Sequence, residues 1–227
     1  MTEPVRRPAA RRIGLLGGSF DPVHRAHRAL AEVALAQLGL DELRWVVAGR
    51  PWQKPAQQAD AMHRAAMVGL AIADEPRFVL ERCELERDGP SYTIDTVRSL
   101  QGGRPPEALP DDWFLVLGQD QYANFATWRE WPELLARVTL AVAGRAGQPV
   151  EAPAALASVA HRVATLPMPA STLSSTDIRR RLRDGTSPDL LAPRMVEPAV
   201  ASYIARLGLY RDPPIPEPRH SRIEPRN

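Results

Sequence analysis

Two histidines stand three residues apart behind a glycine-rich turn in the stretch GGSFDPVHRAH, residues 17–27. The preceding run, IGLL, is typical of a short buried strand. Gly17 and Gly18 permit positive φ angles and close approach of the backbone to a ligand. His24 and His27 share one face of a helix, because residues three apart are neighbours there. This combination suits phosphoryl or nucleotidyl transfer, which needs hydrogen-bond donors directed at the charge around the transferring phosphorus.

The same stretch contains a helix start signal. Asp21 is a suitable N-cap and Pro22 a suitable first helical residue, which predicts a helix that begins near His24. The first turn of such a helix offers N–H groups and a partial positive charge that attract an anion.

A second anion-binding element is predicted at residues 171–183, STLSSTDIRRRLR. Residues 174–176 are helix-capping types, and Ile178 and Leu182 form an apolar anchor at i, i+4. Arg179 follows closely enough to meet an anion bound at the capped N-terminus. A guanidinium with backbone N–H groups is a strong oxyanion-binding set.

Each element also has a plainer interpretation. A histidine near a helix start can serve only as a structural hydrogen-bonding group, and the second element can be an ordinary capped, basic surface helix. Two zinc ligands in an H-x-x-H pattern would need a third ligand, and none stands nearby. The absence of G-x-G-x-x-G disfavours a simple NAD(P)-dependent dehydrogenase.

The elements around these motifs predict an α/β fold with a doubly wound parallel sheet, because short continuous apolar runs alternate with helical patterns. In such sheets ligands bind beyond the carboxyl ends of the strands, where the first motif lies. The predicted strands are Ile13–Leu16, Leu43–Ala48, Arg77–Leu80, Trp113–Leu117, Val138–Ala143 and Val163–Leu166. The predicted helices are 22–38, 61–74, 92–101, 130–136, 153–161, 175–184 and 194–207.

The length favours one large α/β domain over two small ones. The basic, proline-rich ends, 1–11 and 211–227, are expected to be flexible tails, which leaves 12–210 for the domain. The 227 residues carry a formal net charge of only +2, too balanced to indicate a nucleic-acid partner. Cys83 is the single cysteine, which excludes an intramolecular disulfide. No run of 18 apolar residues or signal peptide is evident, so we expect a cytoplasmic protein without a membrane partner.

The two motifs resemble the G-x-(S/T/F)-(F/Y)-D-P-x-H-x-x-H and S-x-T-x-I-R signatures of the nucleotidylyltransferase superfamily, whose fold is Rossmann-like. The resemblance narrows to the bacterial nicotinate-nucleotide adenylyltransferases and covers roughly residues 12–210. The segments that narrow it are RPWQKP at 50–55, PSYTIDT at 90–96, LGQD at 117–120, and the region of Trp128.

The resemblance implies a reaction and an ATP site. The phosphate of nicotinate mononucleotide attacks the α-phosphorus of ATP in line, giving deamido-NAD and pyrophosphate without a covalent enzyme intermediate. It implies catalytic roles for His24, His27 and Arg179. Mg²⁺ is expected mainly on ATP oxygens rather than in a protein carboxylate cage. The implied ATP-binding residues are Gly17, Gly18, Ser19, Phe20, Ser175, Thr176 and Ile178.

For the acceptor, the resemblance implies that Trp128 stacks on the pyridine ring. It implies that Tyr92, Thr93 and Ile94 form a wall with backbone donors for the pyridine carboxylate. It implies that Asp120 binds the ribose hydroxyls and that Lys54 binds a substrate phosphate. The plainer roles are a core tryptophan, a helix-capping aspartate and a solvated lysine.

Several alternatives stay open. The acceptor can instead be nicotinamide mononucleotide or phosphopantetheine. A cytidylyltransferase would carry a different second motif. A regulator that binds nucleotide without catalysis, or a nucleic-acid binder using the basic tails, are further classes. Ala26 replaces the glycine common in the family, and a homo-oligomer is possible.

Overall fold

One six-stranded sheet forms the centre of the fold. The computed structural model describes residues 10–50, 58–103, 110–144 and 149–211. The strands are β1 (Arg12–Gly18), β2 (Glu42–Val47), β3 (Phe78–Glu81), β4 (Asp112–Gly118), β5 (Thr139–Ala143) and β6 (Val163–Leu166). Each predicted strand is present to within two residues at either end.

All neighbouring strands are parallel, in the order β3-β2-β1-β4-β5-β6. The direction of winding reverses between β1 and β4, and a crevice forms at that point beyond the carboxyl ends of the strands. The predicted doubly wound α/β class is therefore confirmed. The first motif directly follows β1, so it borders this crevice.

Seven α-helices accompany the described part of the sheet. They are α1 (Arg25–Leu38), α2 (Ala61–Ile72), α3 (Thr93–Gln101), α4 (Gln119–Ala123), α5 (Trp131–Arg137), α6 (Ser175–Arg183) and α7 (Pro198–Leu207). The ends follow local chemistry: α1 stops at Gly39 in the left-handed region, and Ser174 caps α6 by accepting from the N–H of Asp177.

The sheet separates two apolar cores. One contains Leu16 and Val47 with residues of α1, α2, α6 and α7. The other contains Ile13 and Leu15 with residues of α3, α4 and α5. Because successive strand residues point to opposite faces, β1 supplies side chains to both cores and is buried on both sides. This burial makes β1 a fixed support for the loop that follows it.

Some predicted helices differ from the structure. The predicted helix 153–161 is only a short 3₁₀ turn, Ala154–Leu156. Leu156 is fully buried there, and the His161 ring then bonds the hydroxyl of Tyr122, so tertiary contacts override the helix propensity of the alanines. The predicted helix 194–207 begins only at Pro198, and α4, with five residues, was not predicted.

The predicted N-cap role of Asp21 is also wrong. The N-cap of α1 is His24, and the helix begins at Arg25. Pro22 precedes the helix instead of starting it, because the Asp21 carboxylate is engaged by more distant parts of the chain, as described below.

The predicted tails lie almost wholly outside the described residues. No helix in the described ranges is long and apolar enough to cross a membrane.

Candidate active site

A cavity of about 890 Å³ opens at the carboxyl ends of β1 and β4. It is bordered by the loop after β1, the first turns of α1 and α6, and the segments that carry Thr93 and Trp128. Eleven of the predicted site residues line this one cavity: Gly17, Gly18, Ser19, Phe20, His24, His27, Thr93, Trp128, Ser175, Thr176 and Arg179. The structure thus brings together two motifs that are about 150 residues apart in the sequence.

Four other predicted residues do not line the cavity, and a fifth cannot be placed. The side chains of Ile94 and Ile178 are 0% exposed in the two cores, so only their backbone could meet a ligand. The guanidinium of Arg129 lies over the Tyr92 ring at 4.8 Å, and Asp120 is exposed in the first turn of α4. Lys54 lies outside the described residues.

Phe20 determines the shape of the glycine-rich loop. Its φ is 49°, whereas Gly17 and Gly18 do not adopt positive φ, contrary to the freedom that the sequence suggested for them. A Cβ on Gly18 would lie 2.9 Å from the Phe20 ring, so that packing requires a glycine. A Cβ on Gly17 would meet nothing within 4 Å. Gly17 therefore leaves open space where a ligand can approach the backbone.

The imidazoles of His24 and His27 form a stacked pair at the start of α1. Their ring centroids are 3.7 Å apart, with 22° between the ring planes. The backbone N–H of His24 donates to Nδ1 of His27 at 3.2 Å, which assigns the proton of neutral His27 to Nε2. The Phe20 ring meets His27 edge-on at 5.0 Å. The orientation of His27 is therefore fixed from two sides.

His24 is neutral in this site at neutral pH. Burial lowers its pKa from 6.5 to about 4, against an opposing contribution from a backbone hydrogen bond. Its Nδ1 is buried and has no hydrogen-bond partner among the described residues. A buried polar atom of this kind carries a desolvation cost that a ligand can remove.

The first turn of α6 is attached directly to the loop before α1. The hydroxyl of Ser175 donates to the Pro22 carbonyl at 2.9 Å, and Nη1 of Arg179 donates to the Asp21 carbonyl at 2.7 Å. Nη2 of Arg179 lies 3.4 Å from the Thr176 hydroxyl, and its Nε is buried without a partner in the described structure. These bonds fix the guanidinium and the helix N-terminus beside the two imidazoles.

Asp21 connects the loop after β1 to the segment before α2 and to Tyr210, which follows α7. Its carboxylate accepts hydrogen bonds from the N–H groups of Gln58 at 2.9 Å and Ala59 at 3.2 Å, and from the Tyr210 hydroxyl at 2.7 Å. Burial, and then the Asp21 charge, raise the pKa of Tyr210, which therefore keeps its proton. Sequence reasoning missed Tyr210, because nothing local links it to a residue 189 positions away.

Arg64 is a buried arginine of α2 that holds the backbone of the glycine-rich loop. It is 1% exposed, and its guanidinium donates to the carbonyls of Ser19 at 2.7 Å and Ala59 at 3.2 Å. Burial lowers the pKa of Arg64, whereas the nearby charge of Asp21 opposes this shift. The sequence does contain a signal for it, because Arg64 precedes the buried Met67, Val68 and Ala71 at helical spacing.

The opposite wall of the cavity combines an aromatic ring with hydroxyl groups. The indole of Trp128 packs against Phe125 at 5.2 Å, and its Nε1 is buried without a partner in the described ranges. Thr93 begins α3, whose first N–H groups have no partners within the helix. Glu84, Ser91 and Thr96 complete this wall and were not predicted as site residues.

No group of three or more His, Cys, Asp or Glu side chains in the described residues could hold a metal ion. The donors around the cavity are chiefly imidazole, hydroxyl, guanidinium and backbone N–H groups. This donor set suits an anionic ligand better than a bare cation.

Comparisons with known proteins agree with this geometry. A cytidylyltransferase-like family model matches residues 15–181. A protein of Methylibium petroleiphilum, described as a probable nicotinate-nucleotide adenylyltransferase, is 53% identical over 203 residues, which cover 89% of this chain and 94% of that protein. One of Bordetella petrii with the same description is 50% identical over 205 residues, covering 88% and 100%. The chain belongs to the nicotinate-nucleotide adenylyltransferase family.

A solved structure of much lower sequence identity has the same fold. Nicotinic acid mononucleotide adenylyltransferase of Plasmodium falciparum, complexed with NaAD, superposes with a TM-score of 0.69 at 19% identity. The match covers 88% of this chain and 97% of that one. At this identity the likeness establishes the shared Rossmann-like fold.

The burial of His24 predicts a specific dependence of stability on pH. The folded pKa of about 4 lies below the unfolded 6.5, so unfolding takes up a proton between these values. His24 thus supports stability fully above pH 6.5, and this contribution is lost as pH falls towards 4. We expect the wild type to lose on the order of 3 kcal/mol more than His24→Gln over this interval. Urea unfolding of both proteins from pH 7 to pH 4 measures the difference, and parallel curves would contradict a buried neutral His24.

Tyr210→Phe removes one donor from a buried carboxylate. We expect a loss of about 1.5–3 kcal/mol in the free energy of unfolding, because hydrogen bonds to charged groups are worth that much. The control is Tyr203→Phe, which removes a hydroxyl bonded to the imidazole of His63 at 3.0 Å rather than to a carboxylate, and should cost only about 0.5–1.5 kcal/mol. Equal losses of unfolding free energy in the two variants, measured by urea unfolding, would show that the Tyr210 hydroxyl does not stabilise the Asp21 carboxylate.

Proposed function

We propose that this chain transfers the AMP moiety of ATP to nicotinate mononucleotide, giving deamido-NAD and pyrophosphate. The observation that carries the proposal is the attachment of the α6 N-terminus and Arg179 to the loop that holds His24, on the wall of one cavity. The relatives described above bear the name of this activity, and a further Plasmodium falciparum structure is described as complexed with APC.

The reaction is a single displacement at phosphorus. A phosphate oxygen of the mononucleotide forms a bond to the α-phosphorus of ATP, while the bond from that phosphorus to the oxygen bridging the α- and β-phosphorus breaks. The bond electrons leave with pyrophosphate, and no enzyme group is bonded covalently. Catalysis then rests on positioning and on stabilising charge on the phosphoryl oxygens.

The imidazole pair fits the reacting end of the triphosphate. We assign His24 and His27 to the α- and β-phosphates, where N–H donors can follow the charge that develops on the oxygens. His24 enters as a neutral donor because of its low pKa. A bound phosphate would raise that pKa, since a nearby opposite charge favours the protonated imidazole.

The β- and γ-phosphates fit the second element. We assign them to the first turn of α6, with the Ser175 and Thr176 backbone and the Arg179 guanidinium as donors. Gly17 and Gly18 would allow the nucleotide to lie against the backbone of the loop, beside Ser19 and Phe20. Ile178 would contribute by anchoring α6 in the core rather than by touching ATP.

A divalent metal ion enters with ATP in this scheme. The family acts on ATP, and Mg²⁺ bound to the phosphate oxygens would neutralise part of their charge. The described residues supply hydrogen-bond donors for anions rather than a set of carboxylate ligands for a cation, so the protein would hold the ion through the nucleotide.

The acceptor fits the wall that carries Trp128 and Thr93. The indole would stack on the pyridine ring, and the N-terminus of α3 would favour the carboxylate of nicotinate over a neutral amide. Backbone groups of Tyr92 and Ile94 belong to the same segment. Asp120 for the ribose and Lys54 for a phosphate remain predictions, as do a cytoplasmic location, a homo-oligomeric state and the absence of a nucleic-acid partner.

Pyrophosphate release by the purified protein tests the substrate assignment. With ATP and Mg²⁺, we expect release with nicotinate mononucleotide and much less with nicotinamide mononucleotide or phosphopantetheine. Phosphopantetheine as the best acceptor would replace the proposed substrate. Release with none of the three, in a protein that still binds ATP, would remove the proposed reaction.

His24→Ala tests the mechanism rather than the substrate. Loss of one donor to the transferring group should lower kcat by about 10²–10³-fold or more, with little loss of folded structure. Circular dichroism provides the folding control and steady-state kinetics the rate. Unchanged turnover would exclude His24 from the reaction.

A further inference from the structure

Glu84 places a carboxylate in the wall of the cavity on the proposed acceptor side. It lies between β3 and α3 and is 8% exposed. A buried carboxylate is costly unless donors surround it. The carboxylate of nicotinate would also be repelled by the Glu84 carboxylate. The presence of Glu84 in this wall therefore calls for an explanation in terms of what it binds.

The donors around Glu84 are Thr96, in the first turn of α3, and Ser91, two residues before that helix begins. The Thr96 hydroxyl donates to Oε1 of Glu84 at 2.7 Å. The Ser91 hydroxyl is also hydrogen-bonded to the carboxylate, and this bond and the Thr96 bond oppose the effect of burial, which raises the pKa of Glu84. Nη1 of Arg87 lies 3.4 Å from the Thr96 hydroxyl and adds a compensating positive charge.

Ser91 extends the network to the loop after β2. Its Oγ accepts from the N–H groups of Gly49 and Arg50, both at 3.1 Å, so its own proton is left for the Glu84 carboxylate. The N–H of Ser91 also donates to the Arg50 carbonyl at 3.0 Å. A Cβ on Gly49 would lie 2.2 Å from the Glu84 carbonyl oxygen, so the backbones themselves are in close contact.

Three chain segments therefore meet at one carboxylate: residues 49–50, the segment of Glu84, and residues 91–96. Thr93, at the start of α3, stands between the two residues whose hydroxyls Glu84 orients. We propose that Glu84 is a positioning residue for the acceptor, which holds the first turn of α3 in the orientation that binds the mononucleotide. This inference rests on the proposed function.

Glu84→Gln tests this role with little change of shape. A carboxamide is uncharged and replaces one acceptor oxygen by an NH₂ donor, so it holds the Ser91 and Thr96 hydroxyls less strongly than the carboxylate does. We expect KM for nicotinate mononucleotide to rise about tenfold, while KM for ATP changes less than twofold. Glu86→Gln is the control, because it removes the same charge two residues away at an exposed position.

A second pair of variants keeps the test valid if Glu84→Gln folds poorly. Thr96→Val removes the hydroxyl that donates to Glu84, whereas Thr96→Ser retains it. We expect the acceptor KM to rise with valine and to stay near the wild-type value with serine. Thermal melting of each variant separates a change in binding from a loss of folded protein.

The two pyridine mononucleotides distinguish positioning from direct charge contact. If Glu84 positions α3, Glu84→Gln weakens both nicotinate and nicotinamide mononucleotide, each measured as an acceptor or as a competitive inhibitor. Tighter binding of the acid together with weaker binding of the amide would overturn the proposal, since it would show direct repulsion. Unchanged acceptor KM, or an equal rise in the KM for ATP, would also overturn it. No pyrophosphate release by the unsubstituted protein would instead refute the proposed function.

Discussion

The buried carboxylate of Asp21 is the constraint on which the site depends. A charge removed from water must be compensated, and here two backbone N–H groups and the Tyr210 hydroxyl do so. The carbonyl of the same residue accepts from Arg179. Asp21 therefore sets the position of the loop before α1 relative to three other parts of the chain: the segment before α2, the start of α6, and Tyr210 after α7. The stacked imidazoles and the α6 N-terminus lie side by side because both are attached to this loop.

The site divides into parts with different electrostatic character. Positive and neutral donors surround the region proposed for the triphosphate, where Arg179 and two helix N-termini meet. The proposed acceptor side contains Trp128, hydroxyl groups and the buried carboxylate of Glu84. A neutral His24 avoids the cost of a buried cation before the ligand binds, and it can gain charge only when the phosphates arrive. The pattern matches a reaction that requires positioning and charge stabilisation more than acid–base chemistry.

The strands and the two motifs that border the cavity could be predicted from the sequence because their signals are local. Continuous apolar runs indicate buried parallel strands, and the histidine and serine-threonine motifs have fixed short spacings. The roles of Asp21, Arg64 and Tyr210 were missed because their partners are distant in sequence or are backbone groups. Glu84 has nearby side-chain partners in Ser91 and Thr96, but its burial is set by the tertiary fold. Asp21 shows this most clearly: its type and the following proline satisfy the rules for a helix cap, yet its tertiary donors determine its conformation. Ile94 and Ile178 belong to the matched motifs, but their side chains serve the cores.

A crystal structure with a non-hydrolysable ATP analogue and nicotinate mononucleotide tests the central claim most directly. We expect electron density for the triphosphate between the rings of His24 and His27 and the first turn of α6, with Arg179 in contact with its terminal oxygens. The pyridine ring should lie against Trp128, with the mononucleotide phosphate in line with the α-phosphorus. A triphosphate that contacts neither the imidazole pair nor the α6 N-terminus would contradict the account.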